Sequence, residues 1–260
     1  MSSAIRCRGL GFALPEAVIL RDINFVLEAG AYLSIIGPNG SGKSTLLKCL
    51  LRLHERGVTQ GEASILGRPL NECSQKELAG MMGYVPQAGG RIPPCTGLEL
   101  LKLSRYPYRR RHEALNARDI NCIDEALGLT GMDAFADKKL DELSGGERQR
   151  AFLAAALAQG TSILLLDEPA SFLDPHHACE LNALLKRLNR ERNKTILTVT
   201  HDLNHPLDAG GMALVLRYSR QAYFGPASAL AEPGILEEAF EHSFTHLTHP
   251  HSGRPLVFAD

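Results

Sequence analysis

The sequence predicts an α/β fold, and three observations support this prediction. Apolar segments typical of strands alternate with segments of helical spacing along the 260-residue chain. A glycine-rich loop at residues 37–42 separates an apolar strand from a helical stretch. The run from Ser162 to Leu166 is almost wholly apolar, as in a parallel strand that is buried on both faces.

Each strand is predicted where an apolar run ends at glycine, proline or a polar turn. The predicted strands run from Ile23 to Leu27, Tyr32 to Ile36, Glu62 to Leu66, Ser162 to Leu166 and Thr195 to Thr200, and a hairpin joins 213–216 to 221–224. Helical spacing covers Leu98 to Ser104, Asp119 to Leu127 and Arg148 to Ala158. Asp174 and Pro175 are predicted to open a further helix, as a capping side chain and a first-turn proline.

Composition limits the classes of partner and the compartment. Lys and Arg total 28 against 29 for Asp and Glu, so the net charge of −1 gives no electrostatic argument for nucleic acid or anionic lipid. No apolar run approaches the roughly 20 residues that a membrane span needs, and the N-terminus lacks the apolar stretch of a signal peptide. The six cysteines form no C-x-x-C pair. We therefore expect a cytosolic chain with reduced thiols.

The glycine-rich loop has the pattern G-x-x-x-x-G-K-[ST]. Its residues are Gly37-Pro38-Asn39-Gly40-Ser41-Gly42-Lys43-Ser44-Thr45. Such glycines let successive backbone N–H groups face a phosphate, and the helix N-terminus adds partial positive charge. Lys43 is predicted to reach the β- and γ-phosphates of a nucleotide, and the Ser44 hydroxyl is predicted to ligate Mg²⁺.

Two carboxylates follow the apolar run that ends at Leu166. Asp167, at the end of the strand, fits a Mg²⁺ partner in a P-loop enzyme. Glu168 points elsewhere and fits a base that orients and deprotonates the attacking water. An ordinary strand-end turn is the alternative, and the neighbouring P-loop makes it less favoured.

A second helix start with features of an anion site lies at Leu143-Ser144-Gly145-Gly146-Glu147-Arg148-Gln149-Arg150. Ser144 and Glu147 have capping-box spacing, and the two glycines allow a ligand to approach the backbone closely. An ordinary capped helix is the alternative. Two phosphate-binding helix starts in one chain make sense if each contacts a different nucleotide across a dimer.

Taken in order, these motifs resemble those of ABC ATPases. The segment LSGGERQR is similar to the signature sequence of that family, and Gln87 in Tyr84-Val85-Pro86-Gln87 resembles its Q-loop residue. Residues 171–174 resemble its D-loop, and His201 resembles its switch histidine. The resemblance extends from about Gly9 to Pro226.

The resemblance implies a P-loop NTPase (RecA-like) core with an antiparallel β subdomain and an inserted α-helical subdomain. Residues 1–260 would form a single ABC ATPase domain. Within it, residues 1–88 and 161–226 would form the core and the antiparallel subdomain, and residues 89–160 the helical subdomain that carries the signature sequence. Residues 227–260 would be a C-terminal tail.

The resemblance also implies a homodimer that binds two ATP molecules with Mg²⁺. Each ATP would lie between the loop 37–45 of one subunit and Ser144, Gly145 and Gly146 of the other. Glu168 would be the general base, His201 would contact the γ-phosphate, and Gln87 would join Mg²⁺ or the attacking water. Ser44 and Asp167 would ligate Mg²⁺.

The implied partners are integral-membrane permease subunits and, indirectly, an extracytoplasmic substrate-binding protein, with no nucleic acid. The chain would then lie peripherally at the cytoplasmic face of the inner membrane. Residues 103–108, 148–154, 201–204 and 249–255 resemble the subgroup that imports iron–siderophore, haem or cobalamin. The sequence does not identify the transported molecule.

Three alternative functions share some of these features. A soluble ABC ATPase acting on nucleic acid or ribosomes is disfavoured because the chain has neither heptads nor a second cassette. A nucleotide-binding module without turnover is disfavoured by Glu168 and His201, whose chemistry matters only for hydrolysis. The ATPase of an ABC exporter stays open, because importers and exporters share the motor motifs.

Some positions depart from the family pattern or invite another function. The family stacks an aromatic residue on adenine, and counting back from Leu20 places that residue at Leu14. Phe12, on the same strand face, either replaces the stacking residue or is a core residue.

Two further features could indicate another function. The tail histidines His242, His246, His249 and His251 are irregularly spaced, which favours a docking segment over a metal site. The arginines at 109–111 favour a solvated or permease-facing edge over nucleic acid.

Overall fold

The computed structural model describes residues 3–54, 56–87, 90, 92–110 and 113–260. Its strands are β1 (Ser3–Leu14), β2 (Ala17–Glu28), β3 (Tyr32–Ile36), β4 (Val58–Ile65), β5 (Arg68–Pro69), β6 (Met82–Val85), β7 (Ile163–Asp167), β8 (Thr195–Val199), β9 (Met212–Arg217), β10 (Arg220–Pro226), β11 (Phe244–Thr248) and β12 (Pro255–Ala259). Its helices are α1 (Lys43–Leu51), α2 (Gln75–Met81), α3 (Gly97–Ser104), α4 (Ala117–Thr130), α5 (Gly145–Ala158), α6 (Pro175–Arg192), α7 (Asn204–Ala209) and α8 (Ile235–Phe240). Within these ranges, no helix has both the length and the apolar character needed to cross a lipid bilayer.

The chain divides into two compact units. The first contains residues 1–73 and 189–260, and the second contains residues 74–188. The division implied by the family resemblance has other limits, and its boundary at residues 88 and 89 lies outside the described residues, as does Arg111. That division therefore stays a prediction.

The strands of the first unit are ordered β5-β4-β1-β2-β10-β9-β3-β8. Antiparallel pairing joins β1 to β2 and to β4, whereas β3 pairs in parallel with both β8 and β9. The antiparallel subdomain and the parallel core predicted from the sequence are both present. The hairpin of β9 and β10 is confirmed as well.

Several predicted strands have different limits in the structure. β2 begins at Ala17 rather than at the predicted Ile23, and β8 ends at Val199 rather than Thr200. β4 begins at Val58, four residues before the predicted start at Glu62, and ends at Ile65 rather than Leu66. The early residues of β4 are exposed and polar, so they lack the apolar alternation by which strands are recognised. Leu66 has a φ of 49°, a left-handed conformation that ends the strand at a turn with Gly67.

In the second unit, β6 and β7 pair in parallel and four of the helices begin with a capping box. The pairs are Ser74 with Glu77, Thr96 with Glu99, Asn116 with Asp119, and Ser144 with Glu147. The helices predicted from apolar spacing are confirmed as α3, α4 and α5. Each begins one to three residues before the predicted start. The added residues are glycine, alanine or charged, so they lie outside the spacing of large apolar residues from which the helices were predicted.

A buried arginine joins three helices of the second unit. Arg105, which is 3% exposed, donates from Nε to Asp119 Oδ1 at 2.8 Å and from one terminal nitrogen to the Ala158 and Gln159 carbonyls at 2.9 Å. Burial alone would raise the pKa of Asp119, but bonds from the Asn116 N–H and from Arg105 outweigh it and lower that pKa. The ends of α3 and α5 and the start of α4 are thereby held together.

The C-terminal residues 227–260 pack into the core of the first unit, to which they belong. Val257 of β12 is 2% exposed and lies in a core cluster with Ile36, Leu230 and Leu236. His246 donates from Nδ1 to the Ala231 carbonyl at 2.9 Å, and its Nε2 lies 2.8 Å from Glu237 Oε1. Across the described ranges, no group of three or more His, Cys, Asp or Glu side chains is placed to hold a metal ion.

Candidate functional site

The glycine-rich loop follows a fully buried strand. β3 is buried at every position and leads directly into Gly37. A Cβ added at Gly37 would lie 2.1 Å from the Leu216 carbonyl oxygen, and one at Gly42 would lie 2.6 Å from Leu20 Cδ2. Both glycines also have positive φ, 147° and 100°. The loop therefore needs glycine for space as well as for backbone conformation.

Lys43 begins α1 and is turned back over the loop. Its ammonium group donates to the Gly37 carbonyl at 2.8 Å and to the Pro38 carbonyl at 3.0 Å, and the side chain is 6% exposed. The Ser41 hydroxyl is buried and has no hydrogen-bond partner. A buried polar atom without a partner is costly, so the loop contains both a cation and a hydroxyl suited to an anionic ligand.

The start of α1 has no side-chain cap. Gly42 occupies the N-cap position in a left-handed conformation, and the first turn contains no acidic residue. The first N–H groups of a helix lack acceptors within the helix, and here no side chain of the cap replaces them. The positive charge of the helix end and the Lys43 ammonium together fit a phosphate.

Asp167 is placed by the buried strand β7. It is 2% exposed and receives a hydrogen bond from the Tyr84 hydroxyl of the neighbouring strand β6. Burial and the Asp167 carboxylate raise the pKa of Tyr84, so the hydroxyl stays a proton donor to this carboxylate. A buried carboxylate at a strand end is the kind of oxygen ligand that Mg²⁺ takes.

Glu168 has a left-handed backbone conformation with a φ of 50°. Its Oε2 accepts one hydrogen bond from Gln87 Nε2 at 2.8 Å and another from the Ser171 hydroxyl at 3.1 Å. Left-handed conformations cost free energy in residues other than glycine, so their presence at a strand end suggests a functional constraint. The structure thus brings together two of the predicted catalytic residues, Glu168 and Gln87.

The second predicted anion site begins α5. Ser144 Oγ accepts from the Glu147 N–H at 3.3 Å, and Glu147 Oε2 accepts from the Ser144 N–H at 2.8 Å. These bonds with Ser144 lower the pKa of Glu147. The spacing of Ser144 and Glu147 therefore does form a reciprocal cap, which uses two of the N–H groups at this helix start.

The glycines of this helix start allow the segment 171–174 to pack closely against it. A Cβ at Gly146 would lie 3.2 Å from Leu173 Cδ2, and one at Gly145 would lie 3.8 Å from Phe172 Cβ. Asp174 then caps α6, accepting from the His177 N–H at 2.9 Å, as the sequence predicts. The signature and D-loop segments are therefore neighbours within the second unit.

His201 follows β8 and is exposed. Because β8 pairs in parallel with β3, His201 and the glycine-rich loop both follow the carboxyl ends of adjacent strands. Ligands of open α/β sheets bind at that edge. The Thr200 N–H is fixed by the Ile35 carbonyl at 3.1 Å, one residue before His201.

The two candidates for the adenine contact are in different environments. Phe12 is 4% exposed and its ring stacks on His54 with centroids 3.9 Å apart. Gly57 lies against the same ring, because a Cβ there would be 2.5 Å from Phe12 Cζ. Phe12 is therefore a core residue, whereas Leu14 ends β1 and is partly exposed.

Two residues that contact the carboxylates of the site lie within the sequence motifs but have no role predicted from the sequence. Tyr84 belongs to the motif around Gln87, and Ser171 belongs to the D-loop segment. Their contacts with Asp167 and Glu168 depend on side-chain directions that a motif does not specify. For Tyr84, the sequence offers one indication of this contact: its hydroxyl lies on the strand before the acidic strand end at Asp167.

Comparison with known proteins defines the class. The ABC transporter family model matches residues 20–171. The chain is 37% identical to the iron(3+)-hydroxamate import ATP-binding protein FhuC of Bacillus subtilis (strain 168), over 95% of this chain and 91% of that protein. It is 36% identical to the petrobactin import ATP-binding protein FpuC of Bacillus anthracis, over 90% and 84%.

Two solved structures show the same fold. One is an inward-facing ABC transporter assigned to the metal-chelate type, with a TM-score of 0.84, 25% identity and coverage of 99% of this chain and 98% of that chain. The other is the dimeric ATP-binding cassette MJ0796 with ADP and Pi, with a TM-score of 0.75, 30% identity and coverage of 86% and 98%.

The chain belongs to the ABC transporter family and is one of its ATP-binding ATPase proteins. The resemblance to ABC ATPases and the predicted fold class are both confirmed. The family's ATP-binding role agrees with the uncapped, lysine-bearing start of α1.

Proposed function

We propose that this chain hydrolyses ATP as one of two identical subunits and thereby drives import of a ferric siderophore through separate membrane subunits. The observation that carries this proposal is its similarity, along nearly its whole length, to a ferric hydroxamate import protein. The match includes the C-terminal residues that lie beyond the family model. In this proposal the chain lies at the cytoplasmic face of the inner membrane and acts indirectly with an extracytoplasmic substrate-binding protein.

The phosphate groups of ATP are assigned to the loop 37–45. Lys43 exchanges its bonds with the loop carbonyls for the β- and γ-phosphates, and the Ser41 hydroxyl supplies a further donor. Ser44 and Asp167 would hold Mg²⁺, with Gln87 as a further ligand or as a contact to the attacking water. The bound ion would neutralise charge on the phosphates.

Glu168 is assigned as the general base. Its carboxylate accepts from Gln87 and Ser171, which orient it. A carboxylate held in this way can accept a proton from a water. His201 is assigned to the γ-phosphate. Ser144, Gly145 and Gly146 are assigned to the ATP held by the other subunit, as the dimeric form of the related cassette supports.

The catalytic part of this proposal is tested with Glu168→Gln. Glutamine keeps the shape of the side chain but cannot accept the proton, so turnover should fall at least about hundredfold while ATP binding is retained. The blocked protein should then form an ATP-dependent dimer, detected by size-exclusion chromatography with ATP and Mg²⁺ and then with ADP. Glu191→Gln, which changes an exposed carboxylate on α6, is the matched control. Turnover that survives in Glu168→Gln would contradict the assignment.

The transport part is tested by deleting the gene in its host. Accumulation of a radiolabelled ferric hydroxamate siderophore should fall to background and return with the parent chain but not with Glu168→Gln. Ferric catecholate siderophores, haem and cobalamin are measured in parallel. If the deletion changes uptake of none of the four, import of this class of cargo is excluded.

A further inference from the structure

The segment after His201 is fixed to the C-terminal hairpin through one asparagine. Asn204 is the first residue of α7, three positions after His201. Its Nδ2 donates to the Val257 carbonyl at 3.0 Å, and its Oδ1 accepts from the Val257 N–H at 2.8 Å. The side-chain amide therefore pairs with the backbone of β12 as another strand would.

The short segment from His201 to Asn204 is held at both ends. At its start, the Thr200 N–H bonds the Ile35 carbonyl at 3.1 Å, next to the glycine-rich loop. In its middle, Asp202 Oδ1 accepts from the Asn204 N–H at 2.9 Å. At its end, Asn204 is bonded to Val257, which is itself 2% exposed. His201 thus lies in a loop whose course is set by the core on one side and by β12 on the other.

The remaining contacts of α7 hold it between β3 and the C-terminal hairpin. The Tyr32 hydroxyl and His205 Nε2 share a hydrogen bond of 3.1 Å, which ties α7 to the strand that precedes the phosphate loop. Leu203 and Leu207 pack against the core cluster that contains Val257. Arg254, just before β12, forms an ion pair with Asp208.

We propose that Asn204 is a positioning residue for His201, and that β12 is therefore a structural part of the ATPase site. The inference rests on the proposed role of His201 at the γ-phosphate. Exposed ion pairs contribute little, so the Arg254–Asp208 pair should matter less than the two partly buried hydrogen bonds of the Asn204 amide. The C-terminal hairpin then acts on hydrolysis through the path of the His201 loop and not through contact with nucleotide.

The chain offers a matched control for this asparagine. Asn189 also makes two bonds from its amide to backbone carbonyls, to Gly30 and Lys194, both at 2.8 Å. These bonds fix the entry of β8, the end opposite to His201. Replacing either asparagine by alanine removes comparable bonds, but only Asn204 lies beside the catalytic loop.

The test measures kcat, KM for ATP and Tm in the purified full-length protein. Asn204→Ala should lower kcat about tenfold with KM within about twofold, because a misplaced group affects the transition state more than ground-state binding. Asn189→Ala should lower Tm by a similar few degrees and keep kcat within about twofold. If Asn204→Ala does not give folded protein, Asn204→Asp serves instead, since it retains the acceptor for the Val257 N–H.

A second arm uses the His201→Ala background. There, Asn204→Ala should cause no further loss of kcat, because residues that act through one group are not additive. If the two asparagine variants lose kcat equally, or if the losses add in the His201→Ala background, Asn204 is not a positioning residue. The role of His201 in the proposed function is unaffected by that outcome. Full turnover in His201→Ala by itself would overturn the role of His201 in the proposed function and this inference with it.

Discussion

The starts of helices α1 and α5 differ in whether a side chain of the protein caps them. α1 begins after a left-handed glycine, without a side-chain cap or an acidic residue, and with the Lys43 ammonium over the loop. α5 begins with a reciprocal cap between Ser144 and Glu147, which places a carboxylate in its first turn. Sequence motifs indicate an anion site at both helix starts. Of the two, α1 has a cation and no carboxylate in its first turn, whereas α5 has a carboxylate there.

This difference suggests an order of events at the proposed composite site. The start of α1 has no side-chain cap and no acidic residue, and it has a cation to bind phosphate without help from another subunit. The start of α5 has satisfied two of its own donors and opposes an anion with Glu147. We therefore expect ATP to bind first at α1, and the α5 start of the other subunit to add a smaller contribution that holds the dimer.

The largest expected effect is at Lys43. Lys43→Ala removes the cation and its charge-assisted bonds, worth about 1.5–3 kcal/mol in binding. Turnover should fall to background, which phosphate release measures directly. Lys48→Ala, an exposed lysine on the same helix, is the control and should behave as the parent. Undiminished hydrolysis in Lys43→Ala would contradict the assignment of the α1 start as the phosphate site.

A smaller effect is expected at the start of α5, where two substitutions should act in opposite directions. Ser144→Ala removes the cap, costing about 1 kcal/mol of helix stability, and should weaken the ATP-dependent dimer about tenfold. Glu147→Gln keeps an acceptor for the Ser144 N–H but removes the negative charge, whose repulsion of a nearby anion in water is about 1 kcal/mol or less. It should tighten the dimer about two- to fivefold.

Both variants are measured in the Glu168→Gln background, where ATP is not consumed, by sedimentation across a range of protein concentrations. Weakening of the dimer by Glu147→Gln as well would mean that this carboxylate serves the interface directly. The contrast drawn between the two helix starts would then be wrong for α5.

Much of the fold and of the candidate site could be predicted from the sequence, because the motifs are local. The course of residues 37–51 follows from glycine conformation, strand burial and helix periodicity, all of which are readable along the chain. The capping box at α5 and the cap by Asp174 follow from spacing as well.

Contacts between residues distant in sequence could not be predicted in this way. Asn204 and Val257 are 53 positions apart, and Gln87 and Glu168 are 81 apart. The sequence indicated that both 201–204 and 249–255 were distinctive, but not that α7 and β12 meet. A pattern of residue types gives the identity of such groups, whereas their pairing depends on how separate strands and helices pack.

The smallest expected effect concerns the adenine end of the nucleotide. Phe12 is buried against His54, so the residue left at the expected stacking position is Leu14, which covers a base but lacks a π-face. If binding depends chiefly on the phosphate end at α1, the chain should hold adenine loosely and discriminate poorly between ATP and GTP. Leu14→Tyr should then tighten ATP about threefold, a fraction of the roughly 1–3 kcal/mol of a full base–aromatic stack, with kcat little changed. Equilibrium binding of fluorescent ATP and GTP analogues measures both affinities.

Phe12→Ala is the control for this prediction. It should lower Tm through a core cavity costing about 3–5 kcal/mol, while ATP affinity in the folded protein stays within about twofold. If Phe12→Ala weakens ATP and Leu14→Tyr has no effect, the base contacts Phe12 after local rearrangement, and the assignment of Leu14 is wrong.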